Sequence, residues 1–411
     1  MANESYYYNA TDRRRRSSRG PLLWTLDVVL TLLSGAAVVL MLVLMLVPRI
    51  DPIYTWALPM LGLVAPGVYL LVLMLSLYWV LRWRLKRAAV MGCMALLGAF
   101  SISLFWRPAS HRAALLEQQI EMVDAQIAEE TDDRKLYDLK KKRRLLLRNL
   151  EAGEGMMLMT YNLRSLYGDN GESSADEVAA LIDSLNPDII CLQEYASGLA
   201  TRSERFSNML ERYEQATFGL PSDAPRHQRI LSRFRILRSG VITTQATSVW
   251  ADLLVDEDTM RVVSNHLQST GITSLDNAYI TRYEYLLDTA REEKLRNMVG
   301  RFHTNCVLRA DQVDSIRAHI DSLAPRMRII CGDFNDTPIS YTYRQLAHNM
   351  QDAFSECGSG YSYTFRGFFN TLRIDYVLLS EAYECLSYEV PAVMASDHLP
   401  VVVRFKKSSS Y

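Results

Sequence analysis

Residues 329–336, Ile-Ile-Cys-Gly-Asp-Phe-Asn-Asp, form an apolar run that ends in a glycine and then presents an acid, an aromatic, an amide and a second acid. Asp333 and Asn335 stand two apart, so an extended backbone turns both side chains to one face. Oxygen-only donors of this kind suit a hard cation such as Mg²⁺ and the phosphate oxygens that it holds. Taken alone, the octet fits equally well a strand followed by an Asx-rich turn before Pro338.

Further polar residues fall at the ends of other apolar runs. Residues 157–161 read as a strand ending at Asn162, and 189–192 as a strand that delivers Gln193 and Glu194. Residues 262–267 carry His266 near their end, 373–379 carry Asp375, and Ser396-Asp397-His398-Leu399-Pro400 opens a strand over 401–405. Amphipathic patterns predict helices over 176–185 and 341–350, and an insertion of helix formers spans about 276–322. Asn162, Glu194, His266, Asp333, Asn335, Asp375, Asp397 and His398 thus all lie at or near strand ends, where a sheet scaffold assembles a site.

At these residues the chain resembles the endonuclease/exonuclease/phosphatase superfamily, the DNase-I-like fold. The blocks Thr160-Tyr161-Asn162, Leu192-Gln193-Glu194, Asn265-His266-Leu267, Gly332-Asp333-Phe334-Asn335, Arg373-Ile374-Asp375-Tyr376 and Ser396-Asp397-His398-Leu399-Pro400 match the family's in order, over residues 156–407. The resemblance implies an α/β (α+β) four-layer sandwich, two packed mixed β-sheets flanked by helices, that hydrolyses phosphoesters with Mg²⁺ or Mn²⁺. It implies Glu194 as principal metal ligand, with Asn162 beside it and Asp397 supporting the metal side. Asp333 and Asn335 would orient the attacking water and the phosphate. His398, held by Asp375, would be the general base or a charge-assisted donor, and His266 would bind a phosphate oxygen. Two departures stand out: Arg164 where some members carry an acid, and Arg235 at the proline position of the segment 230–236, which resembles the family's strand before a proline turn.

The elements that must hold this site have a different kind of sequence. The apolar runs 28–47, 57–80 and 88–106 are each long enough to cross about 30 Å of hydrocarbon as a helix. The first run exceeds a signal-peptide core and two more come after it, so three spans are expected. Asp27 is placed at the interfacial end of the first. Arg13–Arg16 and the loop containing Arg82, Arg84, Lys86 and Arg87 share the cytoplasmic side by the basic asymmetry, and three crossings put the chain beyond residue 106 outside the cytoplasm. In a bacterium that is a multi-pass inner (plasma) membrane protein with a periplasmic catalytic domain. The expected organisation is a basic tail over 1–20, the membrane region over 21–106, a helical hairpin or stalk over 107–154 and the catalytic domain over 155–411. The six cysteines form no metal-type spacing, and Cys191 and Cys331 read as buried free thiols.

Composition bears on the substrate. The basic run Lys140–Arg144 in the stalk fits a solvated face or a contact with headgroups or nucleic-acid phosphates. From residue 155 onward there are 25 Lys and Arg against 32 Asp and Glu, unlike the basic surface on which strong duplex-DNA binding relies. Arg226, Arg229, Arg233, Arg235 and Arg238 would either line a local groove or alternate outward. A lipid-linked or small phosphoester is therefore expected ahead of nucleic acid. An endonuclease, and a catalytically idle phosphate-sensing or scaffolding module, are the alternatives. The sequence names neither the substrate-binding residues nor the oligomeric state.

Overall fold

The computed structural model describes residues 21–55, 57–108, 121–128, 135, 136, 139, 140, 143, 155–168, 170–216, 218, 227–243, 247–321 and 327–408. Three apolar helices open it: α1 (Pro21–Leu46), α2 (Ala57–Leu81) and α3 (Leu85–Ser103). All three are long and apolar enough to cross a membrane. The third ends at Ser103 rather than 106, because Trp106 and Arg107 form a short strand, β1, that pairs with β11 (Gly360–Tyr361). Asp27 lies near the start of α1. It is buried, accepts from the Tyr78 hydroxyl at 2.8 Å and pairs with the Arg82 guanidinium at 3.0 Å, which ties α1 to the α2–α3 loop. Residues 121–128 are helical, and Arg143 pairs with Asp124; most of the expected stalk and its basic run lie outside the described residues.

From Met156 the chain builds two six-stranded sheets. One runs in the order β10 (Gln351–Asp352), β12 (Asp375–Leu379), β9 (Arg328–Asp333), β8 (Asp258–His266), β7 (Ser248–Val255), β6 (Arg235–Val241). The other runs β13 (Tyr383–Glu389), β14 (Val401–Lys407), β2 (Met156–Asn162), β3 (Ile189–Tyr195), β5 (His227–Ser232), β4 (Glu214–Gln215). Alternate side chains of both, among them Leu158, Ile189, Cys191, Ile230, Ala251, Val262, Cys331, Val377 and Phe405, make the buried layer between them. The other faces are covered by helices. α4 (Ala175–Leu185) and α5 (Glu204–Leu210) bury Val178, Ile182 and Phe206 on the second sheet, and α7 (Arg291–Asp321) and α8 (Tyr341–Leu346) bury Val313, Ile316 and Leu346 on the first. This is the expected four-layer sandwich, and Cys191 and Cys331 are free and buried within it.

Each sheet contains one parallel pair, β2–β3 and β8–β9. The last residues of four strands therefore lie along one edge of the sandwich. β12 and β14 run antiparallel to their neighbours, so their first residues reach the same edge: Asp375 opposite Asp333, and Val401 opposite Thr160. Within residues 230–236, where the sequence resembles the family's strand and the turn after it, the strand ends at Ser232 and a turn follows. The chain leaves one sheet at Ser232 and enters the other at Arg235, with the Ser232 hydroxyl accepting from Phe234 N at 3.0 Å in the turn between them.

The three apolar helices and the sandwich share a core. Ile339, just beyond β9, is buried with Met41, Leu44, Val47, Ala65 and Phe105, and Gly62 of α2 faces the buried Thr337 hydroxyl so closely that a Cβ there would lie 3.0 Å from it. The Phe105 carbonyl accepts from Ser362 N at 3.3 Å, and the Leu104 carbonyl from the Arg373 guanidinium at 2.8 Å. All of these contacts lie at the end of the helices opposite Arg82–Arg87.

Candidate active site

The shared edge opens into a cleft of about 410 Å³ lined by Asn162, Glu194, His266, Asp333, Asn335, Asp397 and His398, with Asp375 directly behind His398. All eight residues singled out from sequence are thus brought together.

Local backbone chemistry aims them. Gly332 has φ +117°, and a Cβ there would lie 2.0 Å from the Asn265 carbonyl oxygen, so only glycine lets β9 approach β8 this closely one residue before Asp333. Glu194 is the penultimate residue of β3, which runs to Tyr195 through a register shift against β5. At φ 49° it occupies the left-handed region, a conformation that costs a non-glycine residue about 1–3 kcal/mol and turns its carboxylate out of the ladder into the cleft. Asn335 has φ 53°, which asparagine tolerates through its short polar side chain.

Asp333 is the hub. It is fully buried and accepts from Asn335 N at 2.8 Å, Asn335 Nδ2 at 3.0 Å and Asn162 Nδ2 at 2.9 Å. His398 Nε2 lies 3.8 Å and His266 Nε2 3.9 Å from its Oδ2. On the far side of the imidazole, His398 Nδ1 bonds Asp375 Oδ2 at 2.9 Å. Burial pushes the Asp333 carboxyl up to about 6, opposed in part by the two histidines. Burial works against a charged His398, but the carboxylates of Asp375 and Asp333 outweigh it and raise the imidazole to about 10.

Glu194 and Asp397 border the open side. Glu194 Oε1 lies 3.5 Å from His266 Nε2. Asp397 pairs with Arg164, the residue that departs from the family's acid, at 3.6 Å. Asn162 is held by both ends: its amide nitrogen is committed to Asp333 and its oxygen accepts from Arg164 N at 3.0 Å, with a second lone pair remaining. Glu194, Asn162 and Asp397 therefore offer the carboxylate and amide oxygens that a small hard cation takes. Asp333, Asp375 and His398 also bring ligand-type atoms within 4.8 Å of one another, but hydrogen bonds already occupy His398 Nδ1 and both oxygens of Asp333.

The supporting residues were not visible in the sequence. The Thr364 hydroxyl accepts from both Ile374 N and Asp375 N at 3.0 Å, fixing the start of β12. Phe365 lies 5.1 Å from the His398 ring, and the Ser396 hydroxyl donates to the Asn162 carbonyl at 2.8 Å. Buried Gln193 donates to Thr160 and Ser264 at 3.1 Å each, joining the two sheets beneath the cleft. Thr273, Asn277 of the insertion, Phe368 and Leu63 of α2 are among the other residues of the wall. Of the arginines proposed for a groove, Arg229, Arg233, Arg235 and Arg238 do not line the cleft. Arg229 lies over Tyr195, Arg233 over Tyr213, Arg238 pairs with Asp252 at 2.8 Å, and Arg226 lies outside the described residues.

The model of the endonuclease/exonuclease/phosphatase family matches residues 159–398, from β2 to His398. The chain belongs to that family. Its members are metal-dependent phosphoesterases and nucleases, and this chain is accordingly a metal-dependent hydrolase of ester bonds. A domain of unknown function matches residues 27–105, the three apolar helices. No curated protein matches the chain. Similar solved structures include an endonuclease/exonuclease/phosphatase from Bacteroides vulgatus, at 18% identity over 62% of this chain and 100% of that one with a TM-score of 0.43. A mannosyl-6-phosphatase of Bacteroides thetaiotaomicron matches at 18% identity, 61% and 99% coverage and a TM-score of 0.43. The human Nocturnin catalytic domain matches at 18% identity, 62% and 95% coverage and a TM-score of 0.42.

Proposed function

We propose that the chain is a membrane-anchored phosphoesterase that hydrolyses a lipid-linked or small phosphoester by in-line attack of water. The observation that carries this reading is the Asp375–His398–Asp333 alignment inside a cleft whose open side carries Glu194. Asp333, raised to about 6, is basic enough to take the proton of an attacking water and is ionised at neutral pH. Asn335, tied to Asp333 and to the Leu267 carbonyl at 3.1 Å, holds that water and a phosphoryl oxygen in register. His398 is the charge-assisted donor rather than the base. Its imidazolium keeps Nδ1 on Asp375 and presents Nε2–H toward the phosphate, with His266 Nε2 as a second donor. Glu194, Asn162 and Asp397 would hold the divalent cation, Mg²⁺ or Mn²⁺. When bound, it supplies Lewis-acid stabilisation of charge developing on the phosphoryl oxygens.

The organisation proposed with it is a basic tail over 1–20, a membrane region over 21–106, a stalk over 107–154 and a catalytic domain over 155–411, with the last outside the cytoplasm. Packing of the sandwich on the helix ends opposite Arg82–Arg87 supports that orientation.

Purified full-length protein should hydrolyse a chromogenic phosphodiester when Mg²⁺ is supplied, stop on chelation, and need about tenfold or more cation after Glu194→Gln. Turnover that survives chelation would sink the reading, and plasmid nicking without ester hydrolysis would favour an endonuclease. Protease added to intact spheroplasts should remove the domain; protection until lysis would invert the topology.

A further inference from the structure

Leu63 belongs to a membrane helix and yet lines the catalytic cleft. Its height can be placed. Arg82 marks the inner end of α2, and at about 1.5 Å per residue Leu63 lies about 28 Å outward from it, close to the full thickness of a hydrocarbon layer. The floor of the cleft on this side is therefore level with the boundary between acyl chains and headgroups of the outer leaflet.

The same helical face continues into the lipid. Residues 63, 67, 70, 74 and 77 keep helical spacing and share one side of α2. Leu63 is half-buried, Gly67 is exposed with nothing within 4 Å of where a Cβ would be, and Leu70, Met74 and Leu77 are 57%, 54% and 59% exposed. An apolar track, notched at Gly67, thus leads along the helix to the catalytic residues.

Another part of the cleft's wall is apolar where it meets solvent. It is made by helix α6 (Ser274–Thr281), preceded by Ile272 and Thr273, and by the turn Phe368–Asn370, joined through Phe368 N donating to Asn277 Oδ1 at 2.9 Å. Thr273, Asn277 and Phe368 line the cleft from this side. Around them Leu275, Tyr283, Leu286, Leu287 and Phe369 are 80%, 54%, 60%, 93% and 57% exposed, and the Tyr283 and Phe369 rings lie 6.3 Å apart. Large apolar side chains gathered on one rim mark a surface that meets another apolar phase. The spans fix which phase lies beside Leu63.

We propose that the cleft is loaded from the bilayer: a phosphoester borne on a membrane lipid enters between Leu63 of α2 and the rim of α6 and the 368–370 turn, which is itself immersed in the outer leaflet. This deepens the hydrolase reading and rests on it. The headgroup phosphate reaches Asp333 and His398 while an acyl chain stays on the Leu63–Gly67–Leu70 track, so the lipid need not leave the membrane to react.

The test uses full-length protein in phosphatidylcholine vesicles and two esters with one reporter, phosphatidyl-p-nitrophenol in the membrane and bis-p-nitrophenyl phosphate in water. The double variant Leu275→Glu/Leu287→Glu alters the rim outside the cleft lining, and a glutamate in the first turn of α6 is compatible with that helix. It should lower turnover of the membrane ester about tenfold or more and leave the soluble ester within about twofold. Equal effects on the two esters, or a wild-type enzyme that hydrolyses only the soluble one, would overturn the proposal. Failure of the hydrolase reading looks different: neither ester is hydrolysed with Mg²⁺ present. The rim is then read directly, by an environment-sensitive fluorophore on Leu287→Cys in a Cys93→Ala background. Quenching by lipids with a nitroxide near the headgroup supports immersion, and its absence refutes it.

Discussion

Asp333 and Asp336 stand three residues apart, both buried and both lining the cleft, and they differ in the charged groups they face. Asp336 faces a permanent cation: the fully buried Arg309 guanidinium lies 3.2 Å from its Oδ2, and the Thr342 hydroxyl donates to the same oxygen at 2.9 Å. Asp333 faces the His398 and His266 imidazoles, whose Nε2 atoms lie 3.8 and 3.9 Å from its Oδ2. The first arrangement locks the loop and the second can move a proton. Burial alone does not separate a structural acid from a chemical one; the titration behaviour of the partner does. Arg373, buried against Asp352 at 2.8 Å with its guanidinium over Phe354 and Tyr376, repeats the structural pattern at the start of β12.

The sharpest way to break this contrast is to remove one member of each kind. Asp333→Ala or His398→Ala should lower turnover by about 10²–10⁴-fold, the usual worth of general acid–base groups, with a melting temperature within a few degrees of wild type. If either variant keeps near wild-type turnover, the assignment falls. Arg309→Leu should do the reverse. It strands the Asp336 carboxylate and should destabilise the fold by about 3–5 kcal/mol, read by thermal melting, while molecules that remain folded retain turnover.

A pH profile sharpens the same comparison. Below about 6 Asp333 is protonated and cannot accept a proton, so the rate falls as pH falls. As pH rises toward about 10 His398 loses the proton it donates, so the rate falls again. The profile should be a bell whose limbs belong to the coupled pair. Asp375→Asn removes the main carboxylate that offsets burial of His398, and should move the alkaline limb down by about one unit or more; an unmoved limb would show that another group sets it. The smallest effect is expected from Ser396→Ala, which deletes the hydroxyl holding the Asn162 carbonyl. About 1 kcal/mol of stability should be lost, with a modest fall in turnover.

The site was legible in the sequence because its residues border apolar runs at one end or the other, and a run's border is local information. Asn162, Glu194, His266, Asp333 and His398 could be read in this way. The contacts that converge across the sheets could not. Thr364 and Gln193 lie in stretches with no distinguishing pattern, and their importance comes from partners at positions 374, 375, 160 and 264. The chain's crossing between sheets at Arg233-Phe234 was hidden because no glycine or proline marks it. Leu63 was concealed more completely, since in an apolar run every leucine reads as membrane.

The pairing of β1 with β11 has a practical consequence for obtaining this enzyme in water. A chain severed ahead of residue 155 would lose more than its three apolar helices. It would lose the partner strand of Gly360–Tyr361, the Leu104 carbonyl that accepts from Arg373, and the Phe105 carbonyl that meets Ser362, and would bare Ile339 to solvent. The last turn of α3 and the four residues after it are part of the hydrolase's own scaffold, so detergent or nanodisc preparations of the whole chain are the material on which its rates have meaning.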